Sequence, residues 1–252
     1  MTWPAYLLVA VFLPLFPASM LFNRLFAAVG NVWFRVALLL IWPQLGLMVL
    51  AALDRPAPGW VVYWAVLTAG LYAFRALALR DLGLWTAHMA TSAWSLLWVA
   101  ALYAPGEAML IPQAVVFSAP FVILAFLVSR LVSIFGAAYA GVHGGLARTV
   151  PRLSLLLVLV ILAVVATPPF PGFFVLLAMM SRSLDAAPLA APGVLVVWLL
   201  WAWAGTRMTR GMVVGPACAE ARPDLSLAAT VPSGVVLALL AVAGVTSVGY
   251  LL

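Results

Sequence analysis

Residues 144–174 read GGLARTVPRLSLLLVLVILAVVATPPFPGFF. The stretch opens on two glycines and a short basic segment holding Arg148 and Arg152. From Leu153 to Met180 it then runs without a single charge. A helix of about 20 apolar residues crosses the hydrocarbon core of a bilayer, so this run is long enough to span one. Pro168, Pro169 and Pro171 fall in its middle, followed by Gly172. Each proline removes a helix N–H and clashes with the preceding turn, so the sequence predicts a membrane helix broken near its centre. Such breaks persist where protein or a cavity covers the freed carbonyls, and in transporters they often form ion or substrate sites. No charged residue flanks this one, so a structural relic and a site are both open readings.

The rest of the chain fits a membrane setting. Of 252 residues, 67% are hydrophobic and 7% charged. Soluble domains run near 45–50% apolar and about 25% charged, and 18 charges cannot cover a surface of this size. A water-soluble enzyme and a nucleic-acid binder are thereby excluded. All 12 basic residues are arginine, scattered singly over short loops, and the net charge of +6 is better explained by membrane topology than by an acidic ligand. The single cysteine, Cys218, excludes an internal disulfide and a cysteine metal cluster. No HExxH, GxSxG, phosphate-loop or CxxCH pattern is present, so no catalytic, metal or cofactor site is expected in this chain.

Eight apolar runs stand out, at about 4–22, 32–53, 59–79, 82–104, 112–139, 153–180, 189–207 and 232–252. They predict an all-α polytopic bundle of about eight membrane helices. The runs are continuous, not alternating, which argues against a β-barrel. Pro4, Pro14 and Pro17 should bend the first span, which lacks a basic leader and reads as retained. Trp3, Trp60, Trp85, Tyr103 and Tyr250 sit near span ends, as interface anchors do, although several other tryptophans fall mid-span. Odd-numbered loops, with their flanks, carry Arg24, Arg35, Arg75, Arg80, Arg148, Arg152, Arg207, Arg210 and Arg222, and even loops carry Arg55 and Arg182. This bias puts the odd loops in the cytoplasm and both termini outside, as for a multi-pass protein of a bacterial inner membrane. The polar stretch 208–231 is a cytoplasmic loop, either a linker or a docking surface.

Few side chains could carry chemistry inside the bilayer. With the fifth span at 112–139, Arg130 falls deep in it, flanked by Ser129 and Ser133, where it would line a hydrophilic path or bond other helices. His88 lies about one and a half turns into the fourth span and could relay protons or serve a structural bond. Thr86, Thr91, Ser92 and Ser95 make that span polar enough to line a wet path or to glue helices together. Asp54, Asp81, Glu107, Asp185, Glu220 and Asp224 all fall in loops or at span ends. A proton pump needs a series of buried titratable groups, and arginine is a poor carrier because its pKa stays above 12. Complete proton transport by this chain alone is therefore not expected.

Residues 144–174 resemble a segment of the antiporter-like membrane subunits of complex I (chains L, M and N) and of Mrp-type antiporters. Gly144, Gly145, Leu146, Pro151 and Arg152 match the family's glycine–leucine loop. Pro169, Gly172 and Phe173 match its broken helix. Arg80–Trp94, with Ala87 and His88, is loosely similar to a further family segment. The resemblance implies the last six of fourteen helices over 59–252, with 1–58 as an N-terminal two-helix segment, and the same orientation as the arginine bias.

The departures bear on function. After the Gly-Phe of the broken helix the family usually carries a Lys or Glu on its proton path, whereas this chain has Phe174, Val175, Leu176, Leu177 and Ala178. Where the family's preceding span carries a histidine, this chain has Ser118, Ala119 and Pro120. The family's first half, with its own Lys–Glu pair, has no room in 252 residues. The chain then reads as a truncated member: a non-catalytic subunit that scaffolds or seals an ion-translocating or redox-linked membrane complex, its own proton path lost. Its partners would be other integral membrane subunits and lipid, with quinone reached only through partners. Two alternatives are an independent ion or solute transporter using Arg130, His88 and the broken helix, and a quinone- or lipid-binding subunit of a membrane enzyme.

Overall fold

The structure, a computed structural model, describes residues 3–53, 58–102, 107–142, 144–216 and 222–251. Asp54, Arg55, Tyr103, His143, Cys218 and Glu220 lie outside the described residues. Among the described residues twelve helices follow one another: α1 (Trp3–Phe12), α2 (Met20–Ala28), α3 (Val32–Ala52), α4 (Gly59–Ala78), α5 (Leu82–Ser95), α6 (Leu97–Ala100), α7 (Glu107–Phe135), α8 (Leu146–Thr149), α9 (Pro151–Val164), α10 (Pro171–Ala186), α11 (Ala190–Val213) and α12 (Leu227–Leu251). Among the described residues the only β-type pairing is an isolated bridge between Asp81 and Tyr139.

Val32–Ala52, Gly59–Ala78, Leu110–Phe135 and Leu227–Thr246 are each long and apolar enough to cross a membrane. Three other expected spans are built from two helices each. The expected break at Pro168–Gly172 separates α9 from α10, with Pro171 opening α10 where a missing N–H costs nothing. The fourth span is nearly continuous, with only Leu96 between α5 and α6. The first span is not merely bent, as its prolines suggested. It is interrupted over 13–19 between α1 and α2, so the bundle holds two broken helices where the sequence named one.

Packing joins the N-terminal helices to the rest. α3 lies between α1 and α7, α2 packs on α5, α4 packs on α5 and α11, and α12 covers α9 and α10. The interior is filled by large rings: Trp85, Trp94, Trp98, Trp201, Tyr72, Phe22, Phe26 and Phe121 are fully buried. Phe22 touches Phe26, Trp42 and Trp94 at centroid distances of 5.6, 5.4 and 4.8 Å. Trp85, expected as an interface anchor, is a core residue instead. Trp60 is exposed, as an anchor should be. Leu67, Leu199 and Leu239 also face outward, as lipid-facing positions do.

One end of the bundle gathers the arginine-bearing loops. Leu82 N–H donates to the Ala138 carbonyl at 2.9 Å, Ala140 N–H to Arg80 at 2.8 Å, and Gly141 N–H to Gly211 at 2.8 Å. Gly145 sits at φ +79°, and a Cβ there would overlap the Pro216 carbonyl. Only glycine both adopts that left-handed turn without strain and lets the Val214–Pro216 strand pass so closely.

Candidate functional site

The two helix breaks form the natural candidate, because a broken helix leaves carbonyls that something must satisfy. At the first break, four such carbonyls face side-chain donors from other helices. Trp42 Nε1 donates to Val11 O at 3.0 Å, Trp98 Nε1 to Leu13 O at 3.0 Å, and Ser95 Oγ to Pro14 O at 2.6 Å. Trp64 Nε1 donates to Phe16 O at 2.8 Å, and Phe16 N–H donates to Thr68 Oγ1 at 3.2 Å. At the second break, Trp198 Nε1 donates to both Val165 O at 3.1 Å and Ala166 O at 3.2 Å. Thr167 bonds Leu162 O through its N–H and its hydroxyl. Ala166 takes φ +54°, the left-handed turn that closes the end of α9.

Indole N–H groups thus stand where a transporter would hold ions or water. Indole is a donor only and does not titrate near neutral pH. The arrangement satisfies these backbone carbonyls.

The polar residues of α5 behave likewise. Thr86 Oγ1 and Thr91 Oγ1 donate to carbonyls one turn back, at 2.7 and 2.9 Å. Ser92 Oγ donates to Ala69 O of α4 at 2.7 Å and accepts from Trp201 Nε1 of α11 at 2.8 Å, tying three helices at one buried atom. Thr91 Oγ1 also accepts from Asn23 Nδ2 at 3.0 Å. Asn23 reaches the Ser19 carbonyl at 3.1 Å, and Ser19 Oγ donates to Tyr72 OH at 2.8 Å. This string is neutral along its length. It favours helix glue over a wet path for Thr86, Thr91, Ser92 and Ser95.

His88 touches the string at one end. Its ring lies 5.4 Å from that of Tyr72, and its Nδ1 is 3.0 Å from the Leu84 carbonyl. A carbonyl can only accept, so Nδ1 carries the proton and donates to its own helix. Arg130 does not lie deep in a span. It is exposed, five residues before the end of α7 at Phe135, a rise of roughly 7.5 Å. The expected span ran to 139, and the helix stops four residues sooner, which brings Arg130 to the arginine-rich end. Ser133 donates to the Arg130 carbonyl at 2.8 Å, and Ser129 is half-buried beside it. Among the described residues no hydrogen bond or ion pair joins His88 or Arg130 to one another or to the break Pro168–Gly172.

The positions that the resemblance singled out are apolar or occupied. Val175, Leu176 and Ala178 are buried on α10. Phe173 and Phe174 meet edge to face at 5.1 Å, and Phe173 meets Trp198 at 5.4 Å. Ser118 accepts from Trp94 Nε1 at 3.1 Å. The loop residues Gly144, Gly145, Pro151 and Arg152 lie together at the other end of α9, where the Asp224 carboxylate meets the N–H groups of Arg152 and Leu153. Sequence reading missed Asn23 and the break-capping tryptophans. The only signal for the latter was tryptophan in mid-span, away from either interface. Among the described residues, no group of three His, Cys, Asp or Glu could hold a metal ion.

Neither a protein-family model nor a curated protein sequence matches the chain. Solved structures do. A chain of the Mrp complex from Dietzia sp. DQ12-45-1b matches with a TM-score of 0.83 at 16% identity, over 96% of this chain and 55% of that one. A chain of respiratory complex I from Thermus thermophilus matches with a TM-score of 0.80 at 21% identity, over 96% and 54%. A chain of the membrane-bound sulfane sulfur reductase, an archaeal respiratory membrane complex, matches with a TM-score of 0.79 at 19% identity, over 96% and 51%. The chain therefore has the fold of membrane proteins found in these assemblies, as the antiporter-like resemblance implied. The likeness covers 96% of the chain, more than 59–252 alone. The chain spans about half the length of the chains it matches.

Proposed function

We propose that this chain is a non-catalytic integral membrane subunit of a multisubunit ion-translocating or redox-linked complex. Its role is to scaffold or seal the membrane part, with no proton path of its own. The observation that carries this reading is the capping of the first break by Trp42, Trp64, Trp98 and Ser95, and of the second by Trp198. A conducting break needs water or titratable groups at its carbonyls, and these are occupied by neutral, fixed donors. The arginine-rich end faces the cytoplasm by the positive-inside rule, which leaves both termini on the other side of a bacterial inner membrane. Its partners are other integral membrane subunits, and any quinone or redox chemistry belongs to them.

The test is gentle purification of the tagged native protein, paired with flux measurements on the isolated chain in liposomes. Antiporter-like or redox membrane subunits should co-purify at fixed stoichiometry, and the isolated chain should carry no proton or sodium flux above empty vesicles. A chain that runs alone and conducts ions would overturn the proposal.

A further inference from the structure

The arginine-rich end carries two adjoining cavities of about 720 and 330 Å³. They share Gly141, Arg207 and Gly211 as a common wall. Arg210 lines the larger and Arg80 the smaller. Among the described residues, no acidic residue lines either cavity. Arg80, Arg207 and Arg210 are exposed, and no hydrogen bond or ion pair holds their guanidinium groups among the described residues. Three like charges around one cleft repel each other unless an anion sits between them.

An apolar track runs beside the cleft. On α11, Val196, Leu199, Trp203, Arg207 and Arg210 lie within about 80° of one another at 100° per residue, so they share one face. Leu199 is 61% exposed and Trp203 58%. The stripe thus runs from outward-facing apolar side chains to two unpaired arginines at the helix end. The smaller cavity opens beside this stripe, between α4 and α11, where Ala76 and Ala204 line it and Arg207 borders both. A phosphate anion explains the arginines. A phosphate that carries acyl chains explains the arginines and the stripe together. Basic pockets between membrane helices on the cytoplasmic side are the usual seats of anionic lipid headgroups.

We infer that the two adjoining cavities at the end of α11 bind the headgroup of an anionic phospholipid, with Arg207 on their common wall, Arg80 and Arg210 on either side of it, and the acyl chains along Leu199 and Trp203. Lipid binding here is independent of whether the chain conducts ions.

The full-length protein, alone or in its complex, is placed in nanodiscs of phosphatidylcholine mixed with phosphatidylglycerol, and the retained lipid is counted by native mass spectrometry. Phosphatidylglycerol should be retained about tenfold or more over phosphatidylcholine, because each arginine near the surface contributes separately. Arg207→Gln with Arg210→Gln should abolish most of the preference, and Arg80→Gln alone should reduce it. Arg24→Gln, at an exposed arginine outside the cleft, should keep it. Thermal unfolding of all variants in pure phosphatidylcholine checks that they fold alike. If the double variant unfolds there, the Arg80→Gln result decides. Equal retention of both lipids, or a preference that survives in the variants, would overturn the inference. So would displacement of the lipid by millimolar inorganic phosphate, which would make the site one for a free anion. Retention of an acidic partner segment in place of lipid would overturn it as well.

Discussion

The carboxylate of Asp224 caps a helix that begins 73 positions earlier. Its Oδ2 accepts from Arg152 N–H at 2.9 Å and its Oδ1 from Leu153 N–H at 3.2 Å, while Arg152 Nη1 returns a bond to the Leu225 carbonyl at 3.2 Å. α9 opens with Pro151 and no capping side chain of its own, so its first N–H groups would otherwise lie unpaired. The negative charge also suits the positive end of the helix dipole. The segment before α12 is therefore more than a linker, because it finishes the helix that leads into the second break. Asp224→Ala should lower stability by about 1–2 kcal/mol, and Asp224→Asn by less, because Asn also caps. Thermal unfolding in detergent reads the difference. Equal melting of both variants and the native chain would remove the cap from the account.

Trp98 offers the cleanest test of the break-filling tryptophans. It is fully buried and its indole N–H is given to Leu13 O. Trp98→Phe keeps a ring in place but strands that carbonyl, and an unsatisfied buried acceptor costs about 1–3 kcal/mol. Trp60→Phe, at an exposed tryptophan, should change stability by less than about 0.5 kcal/mol. Similar losses for the two would mean that bulk, not the hydrogen bond, is what the break requires.

Ser92 and Trp201 should behave as one unit. Ser92→Ala leaves the Trp201 N–H unpaired, Trp201→Phe leaves Ser92 its bond to Ala69, and the double variant loses both. Hydrogen bonds between membrane helices average about 0.6 kcal/mol and reach about 1.7 kcal/mol in double-mutant cycles. A coupling in that range is expected from four unfolding measurements. A coupling of zero would show that the 2.8 Å contact contributes nothing beyond packing.

Much of this was legible in the sequence. The break at Pro168–Gly172 could be read from proline spacing, and the helical class from the length of uncharged runs. The first break, over 13–19, could not, because Pro4, Pro14 and Pro17 are spread widely enough to suit a bent helix as well as a broken one. Arg130 was misplaced because α7 starts earlier and ends earlier than its apolar run, and a uniform run contains no mark of its true end. The Asp224 cap joins residues whose separation is set only by tertiary packing. The break-capping tryptophans were visible as mid-span tryptophans, but their partners are backbone carbonyls, which leave no trace in side-chain identity.

Gly244 marks where α12 meets the second break. A Cβ there would overlap the Pro169 carbonyl and lie 2.7 Å from Pro171 N and 2.9 Å from Phe170 C, all backbone atoms that cannot swing aside. Close approach of backbones through small residues is how membrane helices gain contact. Gly244→Leu should push α12 off α10 and cost about 2–3 kcal/mol, in the range of overpacking. Gly234→Leu on the same helix, where nothing lies within 4 Å, should be neutral. Loss of protease resistance at α12 in the first variant alone is the expected readout, and equal resistance in both would detach this contact from stability.

His88 is the one histidine among the described residues, and its environment argues against a proton relay. Nδ1 is committed to Leu84 O, the ring rests on Tyr72, and the hydroxyls and amide beyond it are neutral. A relay needs a second group that takes up the proton near neutral pH, and nothing along Ser19, Asn23 and Thr91 does so. In the purified complex, His88→Gln should therefore leave ion flux within about twofold of native. Loss of a true acid–base group costs about 100-fold or more. Flux measured in proteoliposomes separates the two outcomes without ambiguity. A collapse of that size, with assembly intact by native gel, would return a proton path to this chain and would require the neutral string to carry protons by hydroxyl exchange from Tyr72 through Ser19.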